Sequence, residues 1–195
     1  MNTAHLLTLV ALVGTFTSIA VGIFQYRKAQ HWKRAEWVAQ EMKVFFGQAQ
    51  VQNALLMIDW GKRRIPLFPF RENAEDRYVE ITDDVIRDAL LPHEERQGFN
   101  QTEESIRDCF DCFLDGLERY ESYVGAKLVT RADLEPYLSY WCYQITTARE
   151  GDPKVDRLVQ LRKYITRYGY LGANRLIRRL AHQAQRRRLE SVVNH

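Results

Sequence analysis

Nineteen consecutive residues, Leu6 to Phe24, carry no charge, no proline, no asparagine and no glutamine. They read LLTLVALVGTFTSIAVGIF. As an α-helix the run measures about 28 Å, against about 30 Å of bilayer hydrocarbon. Thr8, Thr15, Thr17 and Ser18 dilute it, but a hydroxyl on a helix can bond back to a carbonyl one turn earlier. Two other readings compete. A cleaved signal peptide would carry a basic leading region. Met1 to His5 has neither Lys nor Arg, although Ser18-Ile19-Ala20 loosely resembles a cleavage site. A buried core helix usually shows a polar stripe, and this run has none. The run reads best as a transmembrane anchor, residues 1–26.

The flank sets the orientation. Arg27, Lys28, Lys33 and Arg34 follow the run, and nothing basic precedes it except the terminal amine. The positive-inside rule then puts the C-terminal side in the cytoplasm and the N-terminus outside the inner (plasma) membrane. Tyr26 and Trp32 suit the headgroup level. Within the run Gly14, Ser18 and Gly22 recur every four residues. Such a line of small residues lets two membrane helices approach closely, so self-association is expected.

Beyond the anchor, residues 27–60 read as juxtamembrane helices and residues 61–195 as a cytoplasmic helical bundle. The expected fold class is all-α. Ala35, Val38, Met42, Phe45 and Phe46 keep helical spacing up to Gly47, and a second short helix follows over 48–60. Pro66 and Pro69 make IPLFPF an irregular apolar loop, with a short strand pair conceivable around Tyr78 to Ile81. Thr82, Thr102 and Thr130 are N-cap candidates. Ile106, Cys109, Phe110, Phe113, Leu114, Leu117, Tyr120 and Val124 form the longest apolar stripe. Similar stripes run through Leu134 to Ile145 and Val155 to Tyr168. Gly169 and Gly172 interrupt, and a last helix spans about 173–190.

The net charge of +3 hides an uneven distribution. Residues 26–70 hold eight bases and three acids, residues 71–135 eight and eighteen, and residues 136–195 twelve and four. A basic, acidic, basic order lets the acidic middle face the basic end, within one chain or between copies. Three cysteines, Cys109, Cys112 and Cys142, argue against a disulfide framework.

The candidate chemistry is sparse. Cys109-x-x-Cys112 has a metal-ligand spacing, but it lies mid-helix without a second Cys/His pair, so packing is expected. Asp108, Asp111, Asp115, Glu118 and Glu121 read as a solvated acidic face. No metal or other cofactor is implied. The last helix holds RLIRRLAH, in which Arg175 and His182 stand two turns apart on one side. A histidine titrates near neutrality and an arginine forks onto phosphate, so the pair could cleave RNA. Arg178, Arg179, Arg186, Arg187 and Arg188 extend a positive surface whose partners could be RNA, anionic lipid or an acidic protein surface.

The Arg175 and His182 spacing resembles the Arg-x(4–6)-His motif of the HEPN superfamily. That resemblance implies a membrane-tethered RNase with His182 as general acid or base and Arg175 on the scissile phosphate. Leu176 replaces the polar residue usual after that arginine. Over nearly the whole chain, the anchor, the basic juxtamembrane helix, NALLMIDW and LERYESYVGAKLVTRADLEPYLSYW resemble uncharacterised bacterial single-pass membrane proteins with a helical cytoplasmic domain. The plan is also similar to the HEPN-like membrane accessory proteins of type VI-B CRISPR systems. That second resemblance implies a homo-oligomer, a membrane pore and a role in antiviral defence. The leading expectation is a non-enzymatic, homo-oligomeric membrane protein; the alternative is the tethered RNase.

Overall fold

The computed structural model describes the backbone over residues 3–148, 151–152 and 155–193, and side chains at residue 12 and over 14–187 within those ranges. The chain divides into two compact units, Met1–Gln40 and Glu41–His195. Its elements are α1 (Thr3–Gly47), α2 (Ala49–Asp59), β1 (Lys62–Ile65), β2 (Val79–Thr82), α3 (Asp83–Ala89), α4 (Gln101–Gly125), α5 (Arg131–Thr147), α6 (Asp156–Arg167) and α7 (Leu171–Val193). The protein is mostly helical, as the apolar spacing predicts.

The first unit is the greater part of α1. Its described apolar side chains stand in the open: Phe16 is 65% exposed and Phe24 68%. Ser18 Oγ donates to the Gly14 carbonyl at 2.9 Å, the back-bond expected of a hydroxyl within the apolar run. Among the described residues no helix is long and apolar enough to cross a membrane. The side chains of residues 6–11 and 13, which belong to the predicted span, lie outside the described residues.

In the second unit α4 is the spine. Its predicted stripe from Ile106 to Tyr120 is buried; α2, α3 and α7 pack against the helix, and α5 packs on α7 and α2. Each large apolar side chain so buried contributes about 1.5–3 kcal/mol. Phe45, near the end of α1, stacks on Phe113 and meets the edge of Tyr120. It can do so because residue 116 is glycine: a Cβ there would run into the Phe45 ring. The strand pair forms as a two-stranded antiparallel ladder, Lys62 opposite Thr82 and Ile65 opposite Val79.

Helix starts follow local chemistry, with one correction. Thr82 accepts from the Val85 amide, and Thr130 forms a capping box with Asp133. For α4 the cap is Asn100, not Thr102: Asn100 Oδ1 accepts from the Glu103 amide at 3.0 Å, and Glu103 Oε2 accepts from the Asn100 amide at 2.9 Å. The acid three residues beyond the cap decides between the two candidates. A 3₁₀ turn over His93–Glu95 also replaces part of the expected loop.

Arg157 of α6 is 4% exposed and joins three elements. Its guanidinium donates to the carbonyls of Met57 and Ile58 at the end of α2, and to Asp83 Oδ1 at 2.7 Å at the start of α3. Asp83 in turn crowds Gly61, where a Cβ would lie 2.5 Å from its carboxylate. Arg157→Met should lower unfolding free energy in urea by about 3 kcal/mol, because it strands two buried carbonyls and one carboxylate.

Candidate functional site

The candidate residues converge on α7. Gly169, at φ +77, turns the chain from α6 into it. Gly172 does not interrupt the helix, as its residue type suggested; it lies in the first turn. The amides of Gly172 and Ala173 donate to Glu118 Oε1 at 2.7 and 3.1 Å. A side chain at residue 172 would collide with that carboxylate. Glu118 thus meets the unsatisfied first-turn amides and the positive end of the helix dipole.

Leu176, Ile177, Leu180 and Ala181 bury one side of α7. The other side presents Arg175, Arg178, Arg179, His182, Arg186 and Arg187 to solvent. The Arg188 side chain lies outside the described residues. Arg175 and His182 do share the exposed face. Arg175 Nε lies 3.7 Å from Glu121 Oε1, which also accepts from Arg131 at 3.2 Å. Arg187 Nε lies 3.0 Å from Oε1 of Glu135, an acid only 4% exposed. Arg178 Nε donates to Asn174 Oδ1 at 3.0 Å.

The expected solvated acidic face is therefore a correction. Asp108 and Asp115 are exposed, but the other three carboxylates are structural. Asp111 accepts from the hydroxyls of Tyr164 at 2.6 Å and Tyr170 at 2.8 Å. Burial, reinforced by this neighbouring carboxylate, raises both phenol pKa values. Partial desolvation, with the nearby Asp111 and Glu118, also raises the Asp115 pKa although the residue is exposed. The acidic middle does face the basic end, and it does so within one chain.

Arg107 of α4 escapes a reading by pattern, because it sits beside the apolar stripe. It is 8% exposed. It donates to the carbonyls of Ala89 and Leu91 and to the Tyr168 hydroxyl at 2.8 Å, and one terminal nitrogen lies 3.3 Å from His93 Nε2. Phe99, Tyr164 and Tyr168 ring it at 4.4 to 5.1 Å. Among the described residues no carboxylate pairs with it. Its one sequence signal is an arginine between Ile106 and Phe110 on a helix whose neighbours are buried.

Cys109 and Cys142 are buried, and desolvation pushes each thiol up to about 12. Cys112 is half-buried and donates to Gln48 Oε1 at 3.1 Å. Among the described residues no group of three or more His, Cys, Asp or Glu side chains is placed to hold a metal ion. On α1, a Cβ at Gly14 or Gly22 would meet nothing within 4 Å. No protein-family model, curated protein or solved structure matches the chain significantly.

Thiolates, not thiols, are the reacting species. Iodoacetamide at about pH 8 should therefore modify only Cys112 in the native protein and all three cysteines after denaturation, as intact-mass spectra would show. Fast native alkylation of both Cys109 and Cys112 would instead mark a reactive pair.

Proposed function

We propose that the chain is a membrane-anchored helical protein that acts by assembling with copies of itself and by holding acidic partners on α7. The observation that carries this reading is the open apolar surface of α1. Leu12, Phe16, Ile19, Ile23 and Phe24 are each half exposed or more. Soluble monomers rarely leave so much contiguous apolar surface in water, whereas lipid and a second apolar helix both accept it.

Two further features support the reading. Phe24, Arg27, Lys28, His31 and Trp32 line one shallow groove on α1. Aromatic rings beside cations suit the headgroup layer, where each base near an anionic surface adds about 1 kcal/mol. Gly14 and Gly22 leave their side of the helix open, so a second helix could come close at either position. On this reading the exposed arginines of α7 serve attraction rather than bond cleavage, and Arg175 is held in place by Glu121.

Alkaline carbonate washing should leave the intact chain in the membrane pellet. Chemical cross-linking in the membrane should trap oligomers that Gly14→Ile with Gly22→Ile reduces to monomer. Recovery of the chain in the aqueous wash would sink the anchor, and unchanged cross-linking would sink the helix contact. RNA cleavage by the full-length protein, abolished by His182→Ala, would make it a nuclease instead.

A further inference from the structure

A cavity of about 580 Å³ opens between α6 and α7, beside the turn that follows α3. That volume lies within the range of small-ligand sites. Leu90, Pro92 and Val159 give it an apolar wall. Its charged lining is lopsided: Arg162, Lys163, Arg167 and Arg178 against the single acid Glu95.

These cations differ in what they already do. Arg162 donates to the carbonyls of Ile145, Thr146 and Ala148 at the end of α5, so it builds the wall. Arg167 pairs with Glu94 at 2.8 Å, with both side chains more than half exposed. Such a pair is weak and exchanges cheaply for a better anion. Arg178 commits its Nε to Asn174 and lines the cavity from α7. Tyr168 also lines the cavity, 39% exposed, with its hydroxyl tied to Arg107 and its ring against those of Tyr164 and His93.

Arg107 lies behind the same wall. It sits behind Tyr164 and Tyr168, two residues of the cavity lining. Its guanidinium is buried among rings and carbonyls, so it adds positive charge behind the aromatic wall of the cavity.

We propose that the cavity binds a nucleotide-sized, phosphate-bearing small molecule, its phosphates on Arg167 and Arg178 and its ring against Tyr168. The inference stands apart from the anchoring reading, since every residue it uses lies in the second unit. It separates Arg178 from the rest of the exposed α7 stripe: Arg178 lines the cavity, and Arg186 does not.

The test is isothermal titration calorimetry on the full-length protein in detergent micelles, with ATP, ADP, GTP and inorganic pyrophosphate as probes, at about 0.15 M salt so that diffuse attraction is screened. At least one nucleotide should bind with Kd below about 1 mM. Arg178→Glu and Arg167→Glu should each weaken it at least tenfold, and Arg186→Glu should leave it within about twofold. Tyr168→Leu should weaken nucleotide binding while sparing pyrophosphate, and Tyr168→Phe should keep both; thermal melting checks that each variant is folded. The proposal is overturned if none of the four probes binds saturably. It is also overturned if only pyrophosphate binds, or if Arg186→Glu costs as much as Arg178→Glu, since an electrostatic face and not a nucleotide cavity would then be at work.

Discussion

A row of carboxylates along one helix holds the bundle together. Glu103, Asp111, Glu118 and Glu121 all project from α4, and each is answered by donors from another part of the chain. Arg96 and the Asn100 amide meet Glu103. Two tyrosines of the α6–α7 region meet Asp111, the first-turn amides of α7 meet Glu118, and Arg131 with Arg175 meets Glu121. A carboxylate taken out of water is costly unless its oxygens are met. The apolar stripe of α4 supplies burial, and burial alone tolerates small slides and rotations between helices. The acids remove that freedom, because their partners fit in one register only.

This arrangement gives the uneven charge order of the sequence a use inside a single molecule. The basic tail region docks against the acidic middle through a few short contacts, and the surplus of positive charge is left over. Part of that surplus forms the solvent face of α7. Another part gathers around the α6–α7 cavity, backed by the buried guanidinium of Arg107. The helical period of α7 turns its leucines, isoleucine and alanines inward and its arginines outward, so the segment packs by one face and keeps its charge on the other.

Much of the fold was legible because periodicity is a local signal. The stripe from Ile106 to Tyr120, the N-cap at Thr130 and the loop after Ile65 all follow from residues within a few positions of one another. The errors share one cause. Asn100 and Thr102 are both cap types two residues apart, and only the place of Glu103 separates them. Gly172 resembles a breaker until the Glu118 carboxylate, more than fifty residues away in sequence, is seen to occupy the space. Asp111, Glu118 and Glu121 resembled a solvated face because their donors come from other segments. Arg107 and Arg157 are hidden for the same reason: carbonyls at the ends of other helices receive them, and no sequence pattern marks a carbonyl. The candidate site was legible in composition, as arginines on the last helix, but not in geometry. A cavity is made by two elements together and belongs to neither sequence.

The seat of Phe45 against Gly116 has an evolutionary corollary. A ring at one position and a hydrogen at the other fill a single volume, so neither can drift alone. Across descendants of this chain the two sites should covary, a bulkier residue at 116 appearing only alongside a smaller one at 45. The pair would then read as a compensated exchange rather than as two separately conserved positions.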